Sequence, residues 1–232
     1  MIFYFSATGN SKYVAERVAG ATDDHLIFLR DAIRSRCYHF DVSLEKRIGF
    51  VVPAYCCGLP SILNFFVDKL RLSGYEDQYV YLVLTCGSAT GDAAGQLGKL
   101  LGKKGIALNA QFAVPMVDNN VTAHKIPDRE EIDRRLDGAE EYIDEACRAI
   151  RARGAGDYNR CQGALPGALT AASYPAYAFG RSTKPFVVTG ACIGCGLCQE
   201  ICPCGAITLT DGRPAWTKSQ CCLLYTSDAA DD

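Results

Sequence analysis

The first 150 residues alternate short apolar runs with amphipathic segments, and this alternation restricts the fold more than any other feature. Residues 2–5, 25–29, 47–53, 79–85 and 107–114 read as strands. The run 47–53 carries Ile48, Phe50, Val51 and Val52 almost without interruption, as a strand buried on both faces does. Between the runs, residues 11–19, 63–70 and 93–104 have helical spacing, and a long charged amphipathic helix follows Pro127 over 128–152. Buried strands alternating with helices predict an α/β fold with a five-stranded, doubly wound parallel sheet. Ligands of such sheets bind beyond the carboxyl ends of the strands, where strand order reverses. The loops after the first, third and fourth strands are therefore the ones in which to look for chemistry.

With 232 residues, 49% of them hydrophobic, the chain can bury a core and still carry a small appendage. A net charge of −2 and the lack of a basic tract with interleaved aromatics argue against nucleic acid or an anionic membrane as partner. Met1-Ile2-Phe3-Tyr4-Phe5-Ser6 enters the first strand without a basic leader, and the apolar stretch 163–179 is broken by Pro166 and Pro175. A soluble, cytoplasmic protein is expected. Residues 153–185, rich in Gly, Ala, Pro and Ser, read as a linker or irregular wrap. The acidic residues Glu130, Glu131, Asp133, Glu140, Glu141, Asp144 and Glu145 form the solvated face of the long helix, and His25, His39 and His124 lie apart.

Seven of the 13 cysteines crowd into residues 192–222. Cys192, Cys195, Cys198 and Cys202, the last followed by Pro203, give C-x2-C-x2-C-x3-C-P, the spacing of [4Fe–4S] ligation in bacterial ferredoxins. Three thiolates two residues apart wrap one face of a cubane. A zinc site would instead bring two C-x2-C knuckles separated by a longer loop. Short strands are expected at 186–188 and 206–209, on either side of the cysteines. Cys204 is off-pattern.

The first strand empties into Ser6-Ala7-Thr8-Gly9-Asn10-Ser11. Small hydroxylated residues and a glycine ahead of a helix suit a phosphate, which the free N–H groups and dipole of the helix start would hold. This is neither a Walker A loop nor a G-x-G-x-x-G turn; a plain serine- and threonine-rich helix cap is the other reading. After the third strand comes Pro53-Ala54-Tyr55-Cys56-Cys57-Gly58, and after the fourth Thr85-Cys86-Gly87-Ser88-Ala89-Thr90-Gly91. Cys56, Cys57 and Cys86 invite a redox reading. Adjacent cysteines rarely bridge and no base flanks them, so they are read as small packing residues.

These three loops resemble those of flavodoxins, whose phosphate loop is close to S/T-x-T-G-N-T/S. A flavodoxin-like domain, a linker and a ferredoxin segment together resemble the flavodoxin–ferredoxin fusion proteins of anaerobes, as does Met116-Val117-Asp118-Asn119-Asn120. The resemblance implies strand order 2-1-3-4-5. It implies FMN held by Ser6, Ala7, Thr8, Gly9, Asn10 and Ser11, by Pro53, Ala54, Tyr55, Cys56 and Gly58, and by Thr85, Cys86, Gly87, Ser88 and Gly91. Tyr55 is the candidate for packing on the ring; an ordinary partly buried tyrosine is the alternative. Two [4Fe–4S] clusters are implied, with Cys192, Cys195 and Cys198 on one and Cys202 and Cys221 on the other. Electron transfer with redox partner proteins follows; the alternatives are an FMN-dependent reductase of a quinone or nitro compound, and a structural metal-binding module.

The expected organisation is a flavodoxin-like domain over 1–152, a linker over 153–185 and the first half of a ferredoxin-type α+β domain over 186–221. A second cysteine run should follow Cys221, but residues 222–232 hold no cysteine beyond Cys222. That tail can be back-translated as TGT CTC TTA TAC ACA TCT GAC GCT GCC GAC and a GA-initial codon, which resembles a transposase-type sequencing adapter read in frame. The expectation is a non-native tail on a truncated parent.

Overall fold

Runs apolar on both faces sit where both faces can be covered, and the two longest form the centre of the sheet. The computed structural model describes residues 1–118, 127–179 and 181–221. Its first half runs β1 (Ile2–Tyr4), α1 (Asn10–Thr22), β2 (Leu26–Phe28), α2 (Leu29–Arg34), β3 (His39–Asp41), β4 (Arg47–Pro53), α3 (Ser61–Lys69) and β5 (Arg71–Ser73). Then come β6 (Tyr79–Cys86), α4 (Ala93–Gly102), β7 (Ala110–Pro115), α5 (Arg129–Arg151), β8 (Gly156–Tyr158) and α6 (Pro166–Phe179). The last elements are α7 (Leu197–Ile201), β9 (Ile207–Thr210) and β10 (Arg213–Trp216). Asn119, Asn120, His124 and the tail 222–232 lie outside the described residues.

The main sheet has the order β2-β1-β4-β6-β7-β8, with every neighbouring pair parallel. All of β6 is buried, as are five consecutive residues of β4. Side chains alternate between two cores. Phe3, Phe50, Val52, Leu82 and Leu84 face a layer holding α3 and α4, whereas Ile2, Val51, Tyr81 and Val83 face α1 and α5. Each fully buried aliphatic or aromatic side chain stabilises the fold by about 1.5–3 kcal/mol relative to exposure.

The sheet has six strands, where the sequence pattern predicts five. The sixth, β8, lies in the stretch expected as a linker. Gly-Asp-Tyr has no apolar run to announce it. It joins the edge because Gly156 N–H donates to Asn109 O at 2.9 Å and Tyr158 stacks on Phe112 at 4.8 Å. The rest of the expected linker holds α6. Pro166 at its first position needs no intrahelical N–H partner and favours the start. Thr170, Ser173, Tyr174 and Tyr177 recur at helical spacing and all touch the strand-end loops. A small parallel pair, β3 with β5, is a further element the periodicity does not show.

Beyond α6, residues 186–188 form no strand. Val187 is 80% exposed, and Phe186 stacks on Trp216 at 5.1 Å instead of joining a ladder. β9 and β10 make an antiparallel hairpin through Asp211 and Gly212, both at positive φ, as a two-residue I′ turn requires. Among the described residues, no helix is long and apolar enough to cross a membrane.

α6 is anchored by one hydroxyl. Thr170 Oγ1 donates to Cys57 O at 2.5 Å and accepts from Asp92 N–H at 2.7 Å. Replacing Thr170 by Val keeps the shape and strands both partners, so it should lower stability by about 2 kcal/mol. Thr170→Ser should cost under about half of that. Urea unfolding of the two variants checks the difference.

Candidate functional site

The carboxyl ends of β1, β4 and β6 leave an open cleft of about 230 Å³. Ser6, Ala7, Thr8, Asn10 and Ser11 form one wall, and Pro53, Ala54, Tyr55, Cys56 and Cys57 another. Thr85, Cys86, Gly87, Ser88 and Ala89 form the third, while Val117, Asp118 and Ser173 close the rim. The cleft lies where strand order reverses between β1 and β4, the position at which doubly wound sheets bind ligands.

Thr85 binds the walls together. Its carbonyl accepts from Ala54 N–H at 2.8 Å, and its hydroxyl lies 2.7 Å from Ser11 Oγ. Both hydroxylated residues are buried. The first wall is also tied to the rim, since Asn10 Nδ2 donates to Val117 O at 3.1 Å. Helix α1 begins at this wall with Gly9 at φ 104, no side-chain cap and no acidic residue in its first turn. Its first N–H groups and the positive end of its dipole therefore face the cleft with no acidic side chain from the helix's own first turn against them, the chemistry a phosphate needs.

The second wall turns on two cysteines. Tyr55 and Gly58 exchange backbone hydrogen bonds of 2.8 and 3.0 Å across Cys56 and Cys57, whose φ angles are 45° and 59°. Positive φ at both central positions is the I′ geometry, which Asn and Gly adopt with less strain than cysteine. Burial pushes the Cys57 thiol up, with a hydrogen bond from Ser173 opposing it. Tyr55 lines the cleft but is only 3% exposed, its ring 5.6 Å from that of Tyr177.

Three glycines expected to touch a ligand, Gly9, Gly58 and Gly91, do not line the cleft. Gly9 starts α1. A Cβ on Gly58 would lie 2.3 Å from the Tyr174 ring, and one on Gly91 2.5 Å from Cys57 O and 2.4 Å from Thr170 Oγ1. These two act through packing against α6 and the turn, a role that the linker-like composition of residues 166–179 does not announce. Cys57, Ala89, Val117, Asp118 and Ser173 are cleft residues the motif did not name. The helical spacing 170-173-174-177 was the available signal for Ser173.

In the cysteine segment, Gly194 and Gly196 are left-handed, at φ 71° and 83°, and a Cβ on Gly194 would meet Gly212 O at 2.5 Å. The loop is thus folded tightly onto the β9–β10 turn. Ala206 N–H donates to Cys202 Sγ at 3.2 Å, and Arg34 on α2 donates to Cys202 O at 2.9 Å. Cys221 N–H donates to Arg181 O at 2.8 Å. Among the described residues, no three His, Cys, Asp or Glu side chains converge to hold a metal ion. The donor chemistry nevertheless fits an iron–sulfur group, because soft thiolates, left-handed glycines and an N–H···S bond are what such loops use. Ligand convergence commonly accompanies metal binding rather than preceding it.

Residues 185–208 match the family model described as a 4Fe-4S binding domain. No curated protein matches the chain. Among solved structures, the Trp repressor binding protein from Bacillus subtilis is similar at 17% identity over 65% of this chain and 97% of its own, with a TM-score of 0.42. An FMN-dependent NADH-azoreductase from Bacillus anthracis, solved in complex with FMN, is similar at 12% identity over 65% and 98%, with a TM-score of 0.40. The rubredoxin oxygen:oxidoreductase of Desulfovibrio gigas is similar at 16% identity over 67% and 36%, with a TM-score of 0.39. Likenesses of this size carry no functional argument, which rests on the cleft and the cysteines themselves.

Thr85→Val removes the hydroxyl that pairs with Ser11 and leaves Ser11 buried without it. A loss of about 1–3 kcal/mol is expected. Thr85→Ser should recover most of it. Thermal unfolding of both variants measures this.

Proposed function

We propose that the chain is an electron-transfer protein that holds FMN in the cleft and [4Fe–4S] clusters on its C-terminal cysteines. The observation that carries this reading is the cleft at the sheet's switch point, walled by three joined loops and opening on an uncapped helix N-terminus. The match of residues 185–208 to a 4Fe-4S binding domain supports the second half. When bound, a flavin exchanges one or two electrons and a cluster one at a time, so the pair can convert between the two currencies.

The residues divide the work. Ser6 to Ser11 and the start of α1 bind the phosphate through N–H groups and hydroxyls. The 53–58 and 85–91 loops offer backbone groups to the edges of the isoalloxazine, with Tyr55 and the turn cysteines beneath them. The ionisable side chains in the lining are Asp118, Tyr55 and the thiols Cys56, Cys57 and Cys86, a modest set for binding or protonating a substrate. Cys192, Cys195 and Cys198 hold one cluster, with Cys202 and Cys221 serving a second. Redox proteins are the partners.

Anaerobic expression followed by flavin, iron and sulfide counts tests the reading. One FMN per chain, released on denaturation, is expected alongside iron and sulfide. Gly91→Ala should weaken flavin binding at least about fivefold, because overpacking of this kind costs about 1–3 kcal/mol at the turn, and should leave iron unchanged. Cys195→Ser should do the reverse. A flavin-free protein would overturn the reading, and rapid turnover of a quinone or nitro compound without any partner protein would replace it with a reductase.

A further inference from the structure

We propose that a groove between α3 and the cysteine segment is a second ligand site, which takes a small carboxylate with an aromatic body. The groove has a volume of about 440 Å³, a size typical of small-molecule pockets. Its position follows from how the chain returns after the cysteines. Thr183 N–H donates to Ser219 O at 3.1 Å and Cys221 N–H to Arg181 O at 2.8 Å, around an antiparallel bridge of Ser182 with Gln220. The Thr183 hydroxyl adds a bond of 2.8 Å to Lys218 O. The residues after α6 and those after β10 are thereby held side by side, which brings Arg181 and Lys218 into one lining.

The two sides of the groove differ in chemistry. Ile33 of α2 with Ile62 and Phe65 of α3 make an apolar wall, and Phe65 is 46% exposed on it. Arg181 and Lys218 supply the charge, and among the described residues no Asp or Glu joins the lining. Their hydrogen bonds go to neutral oxygens. Arg181 Nη1 donates to Ser61 Oγ at 2.7 Å and Nη2 to Gln220 Oε1 at 3.1 Å, while Lys218 Nζ donates to Cys204 O at 2.6 Å. Arg181 Nε is buried with no acceptor. Lys69, 5.1 Å from the Phe65 ring centre, adds a further positive charge nearby.

This combination selects its ligand twice. A metal ion or organic cation is repelled, and a neutral hydrocarbon leaves both charges unused. A bare anion such as acetate leaves the apolar wall in water. A carboxylate on an aromatic body satisfies both sides, because the planar guanidinium matches a carboxylate in geometry and the body covers Ile33, Ile62 and Phe65. The apolar wall belongs to the sheet's helices and the cations to the segments that flank the cysteines. A ligand that touches both therefore stabilises their contact by mass action. The proposal does not depend on what the cleft at the sheet's switch point binds.

Indole-3-acetate, indole-3-acetamide and acetate separate the contributions of charge and ring. Calorimetric titration of the full-length chain should show saturable binding of indole-3-acetate. The amide, which lacks the charge, and acetate, which lacks the ring, should each bind at least about tenfold more weakly. Arg181→Gln should weaken indole-3-acetate binding at least about tenfold. Lys218→Gln and Phe65→Ala, both at exposed side chains, should each weaken it at least about fivefold. Thermal melts confirm that the variants are folded. Saturating FMN should leave the affinity unchanged. Failure of indole-3-acetate to bind, equal affinity for the acid and its amide, an affinity that Lys218→Gln and Phe65→Ala both leave unchanged, or displacement by FMN would each overturn the proposal.

Discussion

One buried threonine holds the candidate site together. Thr85 sits at the end of β6, the strand with every residue buried, and connects to both other walls of the cleft. Its carbonyl takes the first N–H after β4, and its hydroxyl meets Ser11 at the start of α1. Three loops distant in sequence therefore share one fixed point. That point is rigid because β4 and β6 pair over seven residues at the centre of a sheet covered on both faces. The helix start, the cysteine turn and the glycine loop keep a common geometry because they are pinned there.

α6 then closes the arrangement from outside. Thr170 ties the Cys56–Cys57 turn to the start of α4, Tyr174 donates to Leu59 O at 2.7 Å, and Tyr177 accepts from Ser61 N–H at 3.1 Å. These bonds compensate a turn whose two cysteines occupy left-handed backbone. Strain of this kind persists only where neighbours over-determine the conformation. Arg181, just beyond α6, lies over the Tyr177 ring at 4.5 Å and accepts from Cys221 through its carbonyl. The cysteine segment is therefore connected to the cleft through the same helix.

The parts of this architecture that rest on long apolar runs were legible in the sequence. β4, β6 and the amphipathic α5 follow from periodicity alone, and the walls from Ser6 to Ser11, Pro53 to Cys56 and Thr85 to Ser88 follow from loop chemistry at the strand ends. The rest was hidden for identifiable reasons. β8 is three residues with one aromatic and owes its pairing to a neighbour. α6 has five alanines and two prolines, a composition shared with linkers, and its inward stripe is made of Thr, Ser and Tyr rather than aliphatic residues. Gly58 and Gly91 have their purpose only once α6 is in place.

Whether the start of α1 holds a ligand's phosphate in the cleft decides the proposed function. FMN and riboflavin differ by the phosphate alone, so titrating each into flavin-free protein isolates that contribution. With two charge-assisted hydrogen bonds of about 1.5 kcal/mol each at the helix start, FMN should bind about a hundredfold more tightly. Equal affinity for the two flavins, or binding of neither, would contradict it.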